Sequence, residues 1–320
     1  NQPTGLNIHK SEIHMNDGGS NLSGVYSPVI TPFCSDLSVD KGLLIRQCKW
    51  LLSQNVGLAV FGTNSEANSL SVNEKIEILD ALIEAGIDPK KTMPGVGCCA
   101  LTDTIKLAQH AVKLGCFNVL MLPPFYYKDV SDDGLFNSYS KIIETVDNDS
   151  LRIYLYHIPP IANVGISLNL IERLKNSYPK VIAGIKDSSG DWNNTLAMLN
   201  QGWPDFNIFA GSEVFLLETL RNGGAGCISA TANINPHAIY ILYKNWLSAD
   251  ASIQQKNLGE FRHIVQKYPM IPALKAIVGH YHNDPNWSRV RPPLTCLSKT
   301  NLNQLIREIE AIGYSMKGPV

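Results

Sequence analysis

Two features that would place a chain in a large functional class are missing from these 320 residues: an excess of one charge and a long apolar run. Lys and Arg together number 27 and Asp and Glu number 28, so the net charge is −1. Such a balance provides no basic surface for nucleic acid or for an anionic membrane. No uninterrupted apolar stretch approaches the ~18 residues that a membrane helix needs. We therefore expect neither a nucleic-acid partner nor a membrane.

Charged residues are scarce and cysteines are few. The charged fraction is 17% and the hydrophobic fraction is 44%, against a usual charged fraction of about 25%. A large interior, or extensive buried contacts between subunits, explains the low charge. The seven cysteines are odd in number and scattered, several of them within apolar runs. This usage favours a reducing, cytoplasmic location over a disulfide-bonded secreted protein.

The N-terminus is polar and rich in Gly, Asn and Ser, and it lacks the apolar core of a secretory signal. We expect residues 1–23 to be disordered or to be a vector-derived remnant that ends near Met15. The organised part of the chain is expected to begin at residue 24.

From residue 24 onward, short apolar runs alternate with longer segments of helical period. Leu44, Cys48 and Leu51, for example, have the spacing of one buried helix face. The runs typical of strands buried on both faces are residues 25–33, 57–61, 92–97, 117–122, 152–157, 181–186, 207–210 and 226–230. The helical segments between them are residues 41–54, 72–86, 104–115, 134–146, 168–177, 193–199, 214–222 and 236–247.

Alternating strands and helices require a parallel sheet, and eight such units are the number that closes a barrel. We therefore predict an α/β fold in which residues 24–248 form a (β/α)8 TIM barrel. An open, doubly wound sheet is the alternative. Residues 249–320 contain only helical segments (253–267, 271–280 and 302–312) and are predicted to be a C-terminal helical extension packed on the barrel.

The active site of such a barrel lies at the C-terminal ends of its strands. Lys186 ends one apolar run, where desolvation favours the uncharged amine that Schiff-base chemistry needs. The alternative is a lysine that only pairs with Asp187 or Glu66. Tyr156 ends the preceding run and could move protons at a bound carbonyl or hydroxyl group, or it could be an ordinary core tyrosine.

The turn after the second apolar run carries Thr63 and Asn64. Their hydroxyl and backbone donors could hold a carboxylate, although both residue types are also common in ordinary turns. Together with Lys186 and Tyr156, they define a candidate site at one end of the barrel.

Six short motifs stand in order at the predicted strand ends. They are PVITPF at 28–33, GTNSE at 62–66, PFYY at 124–127, YHIP at 156–159, GIKDSSG at 184–190 and GCISATAN at 226–233. In this order they resemble the dihydrodipicolinate synthase / N-acetylneuraminate lyase family, whose members are pyruvate-dependent class I aldolases on a TIM barrel with extra C-terminal helices. The resemblance runs from residue 24 to about residue 297.

The resemblance implies a role for each site residue. Lys186 would form an imine with pyruvate or another 2-oxo acid, with no further cofactor and no metal, and Tyr156 would be the general acid and base. Thr63 would connect Tyr156 to a second tyrosine in a proton relay, which is Tyr126 or, failing that, Tyr127. The substrate-binding positions would be Thr63, Asn64, Ile228, Ile161 and Gly211. Because the family's second tyrosine reaches the neighbouring subunit's site, a homo-oligomer, a dimer or tetramer, is implied.

Two positions depart from the synthase pattern. Ile161 stands five residues after Tyr156, where the synthase has an arginine that grips the carboxylate of its second substrate. Asn64 is similar to what 4-hydroxy-2-oxoglutarate aldolases carry. We therefore predict a lyase that acts on a 2-oxo-3-deoxy or 4-hydroxy-2-oxo acid, with pyruvate and an aldehyde or 2-oxo acid as its small-molecule partners. The alternative is 4-hydroxy-tetrahydrodipicolinate synthase, which uses pyruvate and aspartate semialdehyde, and in which Arg289 or Arg291 could supply the missing cation.

Three other interpretations compete with this one. The sequence GVGCCA at 95–100 matches a dinucleotide-binding fingerprint and would indicate an NAD(P) oxidoreductase, but the next apolar run ends without the acidic residue that holds a ribose. His280, His282 and Asp284 could ligate the metal of a class II aldolase, but no further ligand is apparent. A binding protein without activity could also use the same barrel.

Overall fold

A computed structural model describes residues 22–316 of the chain. Its strands are β1 Gly24–Ser27, β2 Gly57–Leu58, β3 Asn118–Met121, β4 Arg152–His157, β5 Ile182–Asp187, β6 Asn207–Ala210 and β7 Gly226–Ile228. The helices of the barrel region are α1 Lys41–Ser53, α2 Val72–Glu84, α3 Leu101–Lys113, α4 Asp132–Val146, α5 Pro159–Ala162, α6 Leu168–Ser177, α7 Trp192–Asn200, α8 Leu216–Arg221 and α9 Pro236–Lys244. They are followed by α10 Ala251–Val265, α11 Met270–His282, α12 Pro285–Ser288 and α13 Lys299–Ala311.

The strands form one parallel sheet in the order β2-β1-β7-β6-β5-β4-β3. Residues 92–96 lie between the two edge strands and hydrogen bond to both. The backbone N–H of Met93 donates to the carbonyl oxygen of Leu58 at 2.7 Å, and that of Val96 donates to Leu120 at 2.9 Å. The segment closes the sheet, and the predicted barrel is confirmed. Its third predicted strand is reduced to one isolated bridge on each side.

The first apolar run, residues 25–33, is a strand only as far as Ser27. Pro28 and Pro32 have no N–H to donate to a neighbouring strand. The N–H of Ile30 donates instead to the side chain of Asn233 at 3.0 Å. The second half of the run is therefore buried loop, in which Val29 and Phe33 pack in the core around the sheet and Ile30 packs with the C-terminal helices.

Aromatic rings fill the centre of the barrel. Tyr26, Tyr154 and Phe209 are buried together with their rings edge to face, at centroid distances of 5.8 Å for Tyr26–Phe209 and 5.9 Å for Tyr154–Phe209. Alternate residues of the same strands, such as Ile153 and Leu155, point outward into the larger core between the sheet and the helices. The interior is thus a packed core, and chemistry is restricted to the strand ends.

The helices begin where the sequence provides caps. Ser71 starts α2 with a capping box, in which its hydroxyl accepts from the N–H of Glu74 and the Glu74 carboxylate accepts from the N–H of Ser71. Serine hydroxyls also cap α4, α6 and α13 by accepting from a backbone N–H of the first turn, without the reciprocal carboxylate contact. The helices predicted from periodicity are present, whereas the four-residue α5 and α12 are too short to produce a period and both begin at proline.

The C-terminal helices extend the core at the catalytic end of the barrel. Phe261, Leu274 and Trp287 are buried in one cluster with Ile30 and Ala230 of the barrel. The division into residues 24–248 and 249–320 stays a prediction, because this cluster runs across it. The predicted N-terminal segment lies outside the described residues up to residue 21. Leu22 is buried, and the Ser23 hydroxyl is 2.9 Å from that of Tyr243.

Candidate active site

Lys186 and Tyr156 meet at the C-terminal ends of β5 and β4. The two residues are paired in register across the parallel strands, so both side chains emerge on the same face. Lys186 is only 2% exposed, and its Nζ donates to the Tyr156 hydroxyl at 3.2 Å. The partners considered for a structural lysine are engaged elsewhere: Asp187 accepts from the Thr195 hydroxyl at 2.6 Å, and Glu66 pairs with Lys275.

The turn that follows β2 brings a hydroxyl to this pair. Thr63 begins a short 3-10 turn, and its Oγ1 lies 3.0 Å from the Tyr156 hydroxyl oxygen. The loop after β1 holds this turn in place, because the Thr31 hydroxyl donates to the Ser65 carbonyl at 2.7 Å. Lys186, Tyr156 and Thr63 thus lie together in one continuous hydrogen-bonded chain.

A buried ion pair holds the end of the same turn. Glu66 has left-handed backbone angles and is fully buried, and its Oε2 accepts from Lys275 Nζ of α11 at 2.6 Å. Its other oxygen accepts from the backbone N–H of Arg291 at 3.0 Å. Burial outweighs the attraction of Glu66 and lowers the pKa of Lys275. The C-terminal extension therefore anchors the turn that carries Thr63.

A cavity of about 240 Å³ opens above Lys186, and Asn64, Ile161 and Gly211 join the lysine, Tyr156 and Thr63 in its wall. Ile161 is 63% exposed at the cavity mouth, where it also lines an adjoining cleft of about 630 Å³. Ile228 is buried among the side chains inside the barrel and is not part of the cavity wall.

Tyr126 and Tyr127 lie away from this cavity. They are 75% and 74% exposed, and they contact each other edge to face with ring centroids 5.6 Å apart. Within the described part of a single chain, neither tyrosine hydrogen bonds to Thr63 or Tyr156. A single chain thus leaves the relay that was expected from the resemblance without its second tyrosine.

Arg262 of α10 is a cavity residue that the sequence did not reveal. Its Nη1 donates to Glu213 Oε2 at 3.0 Å and to the Ser229 hydroxyl at 3.2 Å. Glu213 is itself buried and also accepts from the hydroxyls of Ser229 and of Thr231, the latter at 2.6 Å. Arg262 and Glu213 are 49 residues apart and lie in segments of different predicted domains, so no local pattern links them.

The two arginines considered from the sequence as cavity cations are used elsewhere. Arg291 forms a two-pronged ion pair with Glu74, at 2.7 and 2.5 Å, which lowers the pKa of that carboxyl to about 2. Arg289 donates to the Phe33 carbonyl and to the side chain of Asn286. Neither arginine lines the Lys186 cavity.

The glycine-rich segment 95–100 owes its glycines to the closure of the barrel. A Cβ on Gly95 would lie 2.2 Å from the Phe61 carbonyl oxygen, and a Cβ on Gly97 would lie 2.3 Å from the backbone nitrogen of Leu122. Close approach of neighbouring strands therefore explains a motif that resembled a dinucleotide site.

Two features are missing from the described residues. The described residues contain no group of three or more His, Cys, Asp or Glu side chains that could hold a metal. The proposed metal site at His280, His282 and Asp284 therefore has no support among them. Among residues 22–316, no helix has both the length and the apolar character needed to cross a membrane.

Comparisons with known proteins identify relatives along nearly the whole chain. The model of the dihydrodipicolinate synthetase family matches residues 21–312. An uncharacterized DapA-like lyase of Chloroflexus aurantiacus is 33% identical over 292 residues, which are 90% of this chain and 96% of the relative. The crystal structure of dihydrodipicolinate synthase from Agrobacterium tumefaciens has a TM-score of 0.84 and 32% identity, with coverage of 91% of this chain and 99% of that one. YagE, a prophage protein of the dihydrodipicolinic acid synthase family from E. coli K12 in complex with pyruvate, has a TM-score of 0.83 and 26% identity, with coverage of 91% and 98%.

Proposed function

Because the chain belongs to the dihydrodipicolinate synthetase family, we propose that it cleaves or forms a 4-hydroxy-2-oxo or 2-oxo-3-deoxy acid through an imine between Lys186 and pyruvate. Its membership makes it a class I pyruvate-dependent lyase. The observation that carries the assignment of residues is the buried Lys186 amine, 3.2 Å from a tyrosine hydroxyl that is in turn 3.0 Å from Thr63.

In the cleavage direction, the Lys186 amine attacks the C2 carbonyl of the substrate, water leaves and a protonated imine forms. The C4 hydroxyl then loses its proton while the C3–C4 bond breaks. The electron pair of that bond moves into the imine, which gives an enamine and releases an aldehyde or 2-oxo acid. Protonation at C3 and addition of water free pyruvate and restore the lysine. This sequence needs no cofactor beyond the lysine itself.

We assign two proton transfers to Tyr156: one at the C2 oxygen as the imine forms, and one at the C4 hydroxyl as the C3–C4 bond breaks. Its hydroxyl faces the Lys186 amine, where the C2 and C4 oxygens of a bound adduct would lie. Thr63 receives or returns the proton through its 3.0 Å contact. The backbone of Thr63 and Asn64 would hold the substrate carboxylate, since successive N–H groups in a tight turn form an anion-binding concavity.

We further propose that Tyr126 completes the relay in the site of a second copy of the chain. Tyr126 and Tyr127 are large, apolar and about three-quarters exposed in the single chain. Exposed aromatic pairs of this kind are typical of protein interfaces. A homo-oligomer would cover them and bring one tyrosine to the partner's Thr63.

The second candidate function is the alternative from the sequence, 4-hydroxy-tetrahydrodipicolinate synthesis from pyruvate and aspartate semialdehyde, and the similar Agrobacterium protein is a dihydrodipicolinate synthase. Ile161 argues against it, because an isoleucine offers no hydrogen bonds to the carboxylate of the semialdehyde. An assay that couples pyruvate and aspartate semialdehyde distinguishes the two. A kcat/KM of about 10⁴ M⁻¹s⁻¹ or more, within the ordinary enzyme range, would favour the synthase.

The proposed imine is tested by trapping. Incubation with pyruvate and borohydride is expected to add one pyruvate-derived mass per chain, and Lys186→Ala should abolish the addition. Lys180→Ala is the matched control, since Lys180 is exposed just before the same strand and should leave trapping intact. Wild-type protein that stays unmodified would remove the class I mechanism.

A further inference from the structure

The cavity above Lys186 has two chemically different flanks. Ile158 and Ile161 follow β4 on one side of the lysine and present apolar surface. On the other side, where β6 and β7 end, the wall holds Arg262 and Ser212 beside the apolar side chains of Phe215 and Ala230. A substrate tail that extends from the imine therefore meets a cation only on the β6–β7 flank.

Arg262 is held so that part of its guanidinium is left for a ligand. Its Nη1 is bound to Glu213 and Ser229, and its Nε is buried without a hydrogen-bond partner among the described residues. The remaining amino group, Nη2, is the donor that can face a ligand. Of the described side chains that line this cavity, Lys186 and Arg262 are the two basic ones.

We infer that Arg262 binds a second carboxylate at the far end of the substrate, so the substrate class is a short 4-hydroxy-2-oxo dicarboxylic acid. The inference rests on the proposed function, because it takes the first carboxylate to be at the Thr63–Asn64 turn and C2 to be on Lys186. Arg262 takes over on the β6–β7 flank the task that Ile161 cannot perform on the β4 flank.

Charge and size both favour a short dicarboxylate. The imine uses the Lys186 charge for the electron pair of the breaking bond, so the cation that remains for a distal anion is Arg262, whose charge is shared with Glu213. The volume of about 240 Å³ beside Lys186 suits a short ligand, whereas a longer one would extend into the adjoining cleft of about 630 Å³. A guanidinium that is already fixed by Glu213 loses little side-chain entropy when it binds a carboxylate.

The test compares two substrates that differ only at the far end: 4-hydroxy-2-oxoglutarate, which ends in a carboxylate, and 4-hydroxy-2-oxopentanoate, which ends in a methyl group. The readout is the ratio of their kcat/KM values for pyruvate release. Wild type is expected to favour the dicarboxylate. Arg262→Met should lower the ratio by about 10- to 100-fold, mainly through KM, which is the range for a lost hydrogen bond to a charged group.

Arg262→Met leaves Glu213 as a buried unpaired charge, so Arg262→Met/Glu213→Gln is made in parallel and should show the same fall in the ratio. Arg289→Met is the matched control, an arginine outside the cavity whose removal should leave the ratio unchanged.

Borohydride trapping of pyruvate is measured on every variant. If trapping persists but the double variant keeps the wild-type ratio, or wild type shows no preference for the dicarboxylate, the assignment of Arg262 is wrong. If wild type does not trap pyruvate, the proposed function itself fails.

Discussion

Replacing Lys275 with methionine is expected to destabilise the protein through its partner rather than through the lysine itself. Lys275 and Glu66 are both fully buried, and their 2.6 Å contact joins α11 to the turn that carries Thr63. In Lys275→Met the carboxylate keeps one donor, the N–H of Arg291, and loses the other. Leaving a buried charge without its partner costs about 3–5 kcal/mol.

Two effects modify this loss of unfolding free energy. The methionine sulfur can pack on the Phe33 ring, over which the lysine amine now lies at 4.3 Å, and such contacts contribute about 0.3–1.5 kcal/mol. The lowered pKa of Lys275 indicates that the attraction of Glu66 does not offset the burial of the amine. Removing both charges in Lys275→Met/Glu66→Gln should therefore cost only about 1 kcal/mol, while the single variant loses about 3 kcal/mol.

The assay is urea unfolding followed by circular dichroism, at fixed protein concentration because association shifts apparent stability. Lys267→Met is the matched control, since Lys267 forms a 3.1 Å ion pair with Glu308 on the surface and should lose under about 1 kcal/mol. A single variant that unfolds like wild type would show that Glu66 does not need its partner. A double variant as unstable as the single one would place the loss in packing rather than in the unpaired charge.

Three other outcomes are expected. Tyr156→Phe should retain borohydride trapping but lower turnover by about 10²-fold, the usual effect of a positioned acid–base group, and turnover within a few-fold of wild type would exclude this role. Ile161→Arg should raise condensation of pyruvate with aspartate semialdehyde, measured in the coupled assay, and an unchanged rate would show that Ile161 does not limit that reaction. Glu74→Gln should destabilise the protein by about 1–2 kcal/mol at pH 7, because Arg291 lowers the pKa of this partly buried carboxyl to about 2. The carboxylate contributes stability above the unfolded-state pKa of about 4.5. The difference in unfolding free energy between the variant and wild type, measured by urea titration, should therefore shrink as the pH falls from about 5 toward 2. A difference that is constant with pH would show that the ion pair is not its cause.

The repeating strand–helix units of the barrel were predictable from the sequence. The runs at 152–157 and 207–210 coincide with β4 and β6 because strands buried on both faces are apolar throughout. The third strand was predicted to be longer than it is, because the closure of the barrel at Gly95 and Gly97 depends on backbone contacts with distant residues. Periodicity could not locate α5 or α12, whose short length produces no repeat.

The meeting of three candidate residues was predictable from their places at strand ends. Lys186 and Tyr156 stand at the ends of apolar runs and Thr63 follows one, and the rule that parallel strands end at one face brings them together. Arg262 was not predictable in the same way, because it lies in the last turn of an amphipathic helix, where arginine is ordinary. Its position depends on how α10 docks on the barrel, which is a tertiary property.

The residues that line the cavity or anchor its turn come from two separate parts of the chain. Lys186 and Tyr156 belong to the barrel strands, whereas Arg262 and Lys275 belong to the appended helices. Under the proposed function, a library that aims to change selectivity should be concentrated on α10. Because Phe261, Leu274 and Trp287 share a buried cluster with Ile30 and Ala230, a barrel excised at residue 248 would lose part of its core together with Arg262 and the Lys275 anchor of the Thr63 turn.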